Sequence, residues 1–401
     1  MDGQAYTYII VGSGLAGASA VEGIRERDKK GPILLLGSEK HLPYDRPPLS
    51  KKLWFGKKTV EEIFLHDQAF YEQNNVVVLS GITVTSIDTH SRKIKTSSGR
   101  NYSYQKLLLA TGGLPRTLTI PGGELEGIFY YRFLDDYLRM RREAIPGASA
   151  VVIGGGFIGS EIAAALTINK INVTMIFPEP YIVNRVVPEG LGMALQQQFR
   201  DRGATLLAGE RPSSLIKKGN RFITTTDSGK QIESDMLIVG IGIAPSINLA
   251  RDAGLRIGNG IIVNEYLQTS DPDVYAAGDN AFFPYQALGK QTRVEHWDNA
   301  LNQGTWAGRN MAGAHTPYDY MPYFFSDLFD FGYEAVGEVD ASLEIVADWK
   351  KVNDTGVLYY LRDNRVRGAM MCNVWDKVEA ARALIRKNES STPESLRGLI
   401  T

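Results

Sequence analysis

Runs of glycine, each followed at a fixed distance by an acid, occur twice in this chain and are the residues that could do chemistry. Gly12-Ser13-Gly14-Leu15-Ala16-Gly17 follows the apolar run Ile9-Ile10-Val11 and leads through a small-residue stretch to a second apolar run that ends at Glu39. Gly154-Gly155-Gly156-Phe157-Ile158-Gly159 repeats the plan after Val151-Val152-Ile153 and ends at Glu179. In each copy the first glycine permits a tight strand-to-helix turn. The second lets backbone approach a diphosphate, and the third lets the helix pack on the strand. The diphosphate then meets the free N–H groups and positive dipole end of the helix. Both acids stand roughly 20 residues beyond the third glycine, the offset at which a carboxylate reaches a ribose hydroxyl. One such string is a weak signal. Two, each framed by strand and helix and each with its acid, predict two dinucleotide sites, and electron transfer between two dinucleotides is the chemistry that uses both.

The elements that must carry these sites fit an α/β chain with two Rossmann-like dinucleotide-binding domains of glutathione-reductase-like plan and a C-terminal α+β domain. At 401 residues, two or three cores are expected. The first nucleotide domain is expected to be discontinuous, residues 1–117 and 246–316, with the second at 118–245 and the C-terminal domain at 317–401. Strands are expected at Val76–Leu79, Thr83–Asp88, Ile94–Thr96 and Lys106–Ala110, the last running into Thr111-Gly112-Gly113. The segment from His41 to Lys51 is too rich in proline for a helix or a central strand. Further strands are expected at Met236–Val239 and Val274–Ala277, helices near Ala300–Gly313 and Lys377–Asn388, and a loose tail over 390–401.

Composition narrows the chemistry. Hydrophobic content of 43% and charged content of 22% are those of a globular protein. Lys and Arg number 44 against 45 Asp and Glu, so no basic field points to nucleic acid. No apolar run approaches the roughly 18 residues that would span a membrane. With the first strand opening close to Met1, no leader is expected and the cytoplasm is the expected location. Cys372 is the one cysteine, so no intramolecular disulfide can shuttle electrons, and its apolar surroundings read as a buried strand. His41, His66, His90, His296 and His315 show no ligand spacing, and no metal site is expected.

Three strings give the chain a family resemblance: Leu42-Pro-Tyr-Asp-Arg-Pro-Pro-Leu-Ser-Lys51, Gly154-Gly-Gly-Phe-Ile-Gly-Ser-Glu161 and Tyr275-Ala-Ala-Gly-Asp279. Val294-Glu-His-Trp-Asp-Asn299, Phe325-Ser-Asp-Leu328 and Gly332-Tyr-Glu-Ala-Val-Gly337 add to it. The chain resembles, over nearly its whole length, the FAD- and NAD-dependent pyridine nucleotide oxidoreductases that include oxygenase-coupled ferredoxin reductases and apoptosis-inducing factor. The resemblance implies FAD on the first fold, NAD(H) on the second, and a C-terminal domain beside the flavin.

The resemblance also assigns residues. At the FAD diphosphate stand Gly12, Ser13, Gly14, Leu15 and Ala16, with Glu39 on the adenosine ribose, Lys40 and Val84 near it, and Arg46 offsetting phosphate charge. Thr111, Gly112 and Arg116 form a second FAD contact. Asp279 reaches the ribityl or pyrophosphate region, although Asp after a glycine turn is also a common helix cap. Glu295, His296 and Trp297 meet the flavin and the nicotinamide. Lys51 and Glu161 are expected to form an ion pair beside the flavin N5 edge, where a buried cation favours incoming negative charge. On the NAD side stand Gly154, Gly156, Phe157, Ile158, Gly159, Glu161, Glu179, Arg185, Gly242, Phe325 and Glu334. Phe325 replaces the tryptophan of the matching motif in apoptosis-inducing factor, so it can pack on a ring but cannot donate.

The expected function is transfer of hydride from NADH to FAD and of single electrons onward to an iron–sulfur protein, a ferredoxin or rubredoxin. Glu179 favours NADH over NADPH by repelling a 2′-phosphate. Two alternatives keep the fold: an NADH-sensing flavoprotein with slow turnover, and an NADH oxidase or peroxidase. A monomer or homodimer fits equally.

Overall fold

The computed structural model describes residues 4–400. They form two compact units: residues up to 45, 60–114 and 245–322, and residues 46–59, 115–244 and 323 onward.

The first unit is built on a parallel sheet. Strands Val76–Ser80, Ile33–Gly37, Ala5–Val11 and Asn101–Leu109 lie side by side in that order, and the hairpin Val84–Asp88 with Lys93–Thr96 continues the edge antiparallel. The long strand Asn101–Leu109 pairs with Ala5–Val11 along one edge and divides its other edge between two partners: its first half pairs with the hairpin, and Leu107 to Leu109 pair parallel with Val274–Ala276. Ile33–Gly37 is buried throughout, as a parallel strand covered on both faces must be. Each of its apolar side chains contributes about 1.5–3 kcal/mol of burial. The helix Leu15–Arg27 lies against the helix Trp297–Met311 at backbone distance. A Cβ on Gly23 would stand 2.1 Å from Thr305 O, one on Gly304 2.3 Å from Ala16 O, and one on Gly308 2.2 Å from Ala20 O. That closeness explains the small-residue composition of the first helix. The later helix begins at Trp297, ahead of the expected Ala300, because His296 supplies an extended N-cap that hydrophobic periodicity does not mark.

The second unit contains the second parallel sheet, in the order Thr205–Ala208, Asn172–Phe177, Ser149–Ile153, Met236–Val239 and Phe129–Tyr130. Beside it runs a three-stranded antiparallel ribbon, Pro212–Lys218, Arg221–Thr226 and Gln231–Ser234. A five-stranded antiparallel sheet follows, ordered Tyr323–Leu328, Phe331–Gly337, Arg365–Cys372, Thr355–Arg362 and Glu344–Lys351, with the helix Val378–Lys387 packed on it. Two Rossmann-type sheets and a C-terminal α+β portion are the architecture read from the sequence. Cys372 lies buried in its strand, and burial raises its thiol pKa far above the usual range, so the thiolate does not form.

Two local expectations are corrected. Pro47–Ser50 forms one turn of 3₁₀ helix, since proline is tolerated where a first-turn N–H needs no partner. The tail is not loose: Thr392 and Ser395 cap a short helix Pro393–Leu396, and Leu396 and Ile400 are buried. The polar composition of 390–395 hides these two apolar anchors.

Candidate functional site

The first cradle lies in the first unit, where the strand Ala5–Val11 ends at Gly12. Gly12 has φ +117°, and a Cβ there would stand 2.1 Å from Ala110 O. A Cβ on Gly17 would stand 2.0 Å from Gly12 O, so both glycines are demanded by backbone packing. Gly14 differs. It is the extended N-cap of Leu15–Arg27, and an added Cβ would meet nothing within 4 Å. Open space over the N-terminal amides of a helix is what an approaching diphosphate needs. Ser13 closes the side of the turn, its Oγ 1.8 Å from where a Cβ on Gly37 would lie.

Glu39 follows the strand Ile33–Gly37 and accepts a hydrogen bond from the buried Tyr44 hydroxyl. Lys40 is exposed, and Val84 faces the core at the start of its strand. Thr111 Oγ1 donates to Ser246 O at 2.7 Å and accepts from Asn280 Nδ2 at 2.8 Å; Gly112 beside it has φ +59°. Asp279 follows Gly278, whose φ is +85° and whose N–H donates to buried Gln303 Oε1 at 2.9 Å. A Cβ on Gly278 would stand 3.1 Å from Ala16 Cβ, which brings this turn onto the first cradle. Asn280 Oδ1 and Gln303 Nε2 are buried without a protein partner. Unpaired buried polar atoms are costly, and both of these are enclosed by protein rather than open to the cradle.

Glu295 pairs with Arg293, whose Nη1 also donates to Asp279 O at 3.0 Å. Part of His296 reaches the surface, yet burial pulls its pKa down to about 4 against the opposing pull of Asp279, so it is neutral at pH 7. Trp297 Nε1 donates to Asp45 Oδ1 at 2.6 Å, which fixes the indole at the start of its helix.

The second cradle repeats the first within the second unit. Gly154 has φ +115°, and its Cβ would stand 2.4 Å from Gly240 O; a Cβ on Gly159 would stand 2.1 Å from Gly154 O. Gly156 is the extended N-cap of the helix Phe157–Ile168 and again faces open space. Ile158 is 43% exposed on the first turn, and the Phe157 ring meets Phe324 edge-on at 5.8 Å. Glu179 is half-buried just past the strand Asn172–Phe177. Arg185 lines a cleft of about 540 Å³ with Tyr181, Asp340 and Ser342. Its loop is tied down by Val183 N to Gly155 O at 2.7 Å and by Ala341 N to Arg185 O at 2.9 Å, and Val183 is held at φ +49°. A β-branched residue at positive φ persists only where its surroundings over-determine it. Gly242, at φ +95°, accepts from Arg116 N at 2.9 Å. Arg46 donates to Arg132 O at 3.1 Å and lies over the Phe133 ring.

Lys51 and Glu161 meet inside the second unit, with Lys51 Nζ 3.2 Å from Glu161 Oε1 and both side chains buried. The ammonium also lies 3.8 Å from Asp327 Oδ2 and 4.6 Å from the centroid of the Phe325 ring. Ser50 and Ser326 hydroxyls both donate to Glu161. Phe325 pairs across the hairpin with Glu334, whose Oε2 is buried without a partner. Burial raises the Glu334 pKa, against a backbone N–H of Asp376 that lowers it.

The sequence alone does not mark Ser50, Ser326, Asp327, Tyr44, Asp45, Asn280 or Gln303 as site residues. Ser50 and Ser326 do lie inside the strings that carry the resemblance. Gln303 has no local signal, since it reads as one more polar residue on a helix.

Residues 6–304 match the family described as Pyridine nucleotide-disulphide oxidoreductase, and residues 307–355 match the C-terminal region described as that of apoptosis-inducing factor, mitochondrion-associated. The chain is 34% identical to a rubredoxin-NAD(+) reductase of Pseudomonas putida over 89% of its own length and 94% of that protein. It is 32% identical to the ferredoxin--NAD(+) reductase component of the anthranilate 1,2-dioxygenase system of Burkholderia cepacia, over 97% and 96% of the two chains. Among solved structures, it resembles a chain of the covalent putidaredoxin reductase–putidaredoxin complex, with TM-score 0.91, 30% identity and coverage of 98% and 95%. No helix among the described residues is long and apolar enough to cross a membrane.

Proposed function

Since the chain belongs to the pyridine nucleotide-disulphide oxidoreductase family, we propose that it is an FAD-dependent enzyme that takes hydride from NADH and hands electrons singly to a ferredoxin or rubredoxin. The observation that carries this reading is two open diphosphate cradles in a chain whose one cysteine is buried. Two nucleotide sites call for electron transfer, and without a second thiol the electrons leave from the flavin itself. Bound flavin supplies the conversion of a two-electron donor into single electrons.

The chain's own residues bind, orient and bias. The amides behind Gly14 and Gly156 hold the two diphosphates. Glu39 and Glu179 accept from ribose hydroxyls, and Glu179 disfavours a 2′-phosphate, which makes NADH the donor. Lys51 serves the flavin N5 edge, and its positive charge in a dry setting favours arrival of electrons. Neutral His296 and the fixed Trp297 indole add apolar surface without charge. Neither acts as a base, since hydride transfer depends on alignment. The reductase names of the relatives support the iron–sulfur acceptor, and the expected setting is the cytoplasm.

A second reading is favoured by the match of residues 307–355 to apoptosis-inducing factor: an NADH sensor that turns over slowly. Anaerobic stopped-flow separates the two. The enzyme is reduced with one equivalent of NADH and mixed with a panel of ferredoxins and rubredoxins, and separately with oxygen. Fast reoxidation by one iron–sulfur protein is expected. A persistent long-wavelength complex that ignores every acceptor would replace the reductase reading with the sensor.

A further inference from the structure

Glu161 binds more than its lysine. Its Oε2 accepts from Ser50 Oγ at 2.6 Å and its Oε1 from Ser326 Oγ at 2.5 Å, and both serines are buried at 4% and 3% exposure. Lys51 Nζ, by contrast, stands 3.2 Å from Oε1. Charge-assisted N–H···O bonds close to about 2.7–2.9 Å, so the two neutral hydroxyls sit tighter on this carboxylate than the cation does. A carboxylate only accepts, and each hydroxyl has one proton to give. The hydroxyls therefore occupy strong acceptor directions on both oxygens and fix the plane of the group. The ammonium, with three protons to place, has one loose partner in Glu161, a longer contact to Asp327 and a face-on contact to the Phe325 ring.

The sequence arranges this economically. Ser50 precedes Lys51 on one 3₁₀ turn, and Ser326 stands between Phe325 and Asp327 on an edge strand. Glu161 itself projects from the helix that opens at Gly156, the helix whose N-terminus forms the second cradle. Three separate elements thus converge on one carboxylate.

We propose that Ser50 and Ser326 are positioning residues: their hydroxyls hold Glu161 so that the Lys51 charge is only partly spent on its counter-ion and remains available to the flavin. The proposal rests on the reading that Lys51 serves the flavin, and it adds what sets the strength of that service. Without the hydroxyls, Lys51 closes onto the freed carboxylate, the charge is neutralised within the pair, and electrons are held less favourably.

The test is the midpoint potential of FAD in the holoenzyme, measured by equilibration with a reference dye for wild type, Ser50→Ala, Ser326→Ala, Ser326→Thr and Lys51→Met. Each alanine variant is expected to lower the potential, shifting the equilibrium against the dye about tenfold, or ~30 mV for a two-electron couple. Ser326→Thr restores the hydroxyl and the potential. A purely structural hydroxyl would lower the melting temperature and leave the potential alone, and that result overturns the proposal. Should Ser326→Ala fail to hold FAD, Ser50→Ala carries the same expectation through the other oxygen. Unshifted alanine variants beside a shifted Lys51→Met overturn the clamp alone. An unshifted Lys51→Met overturns both the clamp and the reading beneath it.

Discussion

Gly14 and Gly156 occupy the same place in two separate folds, each the extended N-cap of its helix and each facing open space where a side chain would project. Their neighbours Gly17 and Gly159 are the reverse, with backbone oxygen about 2 Å from any added Cβ. One pair of glycines answers to a ligand and the other to packing.

Substitution should separate them. Gly14→Ala and Gly156→Ala need no backbone change, because extended φ and ψ suit alanine, and thermal stability of the ligand-free protein should stay within about 0.5 kcal/mol of wild type. Binding of FAD to the first variant and NADH to the second should weaken at least tenfold by titration. Gly17→Ala and Gly159→Ala should cost about 1–3 kcal/mol by overpacking, seen as a lower denaturation midpoint. Equal stability losses at all four positions would remove the distinction.

Glu179 carries the choice of donor. Glu179→Ala removes a charged acceptor worth roughly 1.5–3 kcal/mol to a ribose hydroxyl, so the ratio of kcat/KM for NADH over NADPH should narrow by roughly tenfold or more. An unaltered ratio would place the discrimination elsewhere.

His296 makes stability depend on acid. Its pKa falls from the ordinary 6.5 to about 4 on folding, so between these values the unfolded chain binds a proton that the folded chain refuses. Its contribution is fully present above 6.5, declines as pH falls, and is gone by about 4. His296→Asn should flatten the loss of stability across this window, read as the urea midpoint at several pH values. An unchanged slope would mean that the imidazole protonates freely in the folded protein.

Phe329, at the tip of the hairpin that bears Phe325 and Glu334, has φ +57°. Its ring packs 4.7 Å from that of Phe199 and 4.4 Å from the Arg202 guanidinium, while Arg202 bonds Asp330 at 2.6 Å. Packing holds the residue in a backbone state that costs an L-residue about 1–2 kcal/mol. Phe329→Ala loses the ring and keeps the strain; Phe329→Gly loses the ring and relieves it. The glycine variant should be the more stable by about 1 kcal/mol, against the usual order. Calorimetry that finds alanine ahead would remove the strain.

What the sequence disclosed follows the range of the forces involved. The turns at Gly12 and Gly154 were legible because their cause lies within a few residues: a strand must become a helix at once. The burial of Cys372 was legible because Gly368 to Cys372 is apolar throughout. The anchors Leu396 and Ile400 were not, because each depends on a surface brought from elsewhere; the cap at His296 and the Tyr44 hydroxyl on Glu39 are local, but neither leaves a mark in hydrophobic periodicity. Gln303 on Gly278 and Ser326 on Glu161 are the extreme cases. No local pattern distinguishes such a residue from a solvated one, and only the fold gives it a partner.

The backbone contact between the helices Leu15–Arg27 and Trp297–Met311 has a consequence for synthesis. Gly23, Gly304 and Gly308 allow the two helices to touch only once both exist, and Val274–Ala276 must also pair with Leu107–Leu109. Residues 4–109 therefore cannot complete their own core until residues 274–311 have been made. They wait through translation of the whole intervening segment with an apolar face uncovered, and long-range closure of this kind is slow and prone to aggregation. The intervening parallel sheet, complete in strand order by Val239, finishes earlier than the sheet built on Ala5–Val11. Of the two parallel sheets, the one translated earlier is the one closed later.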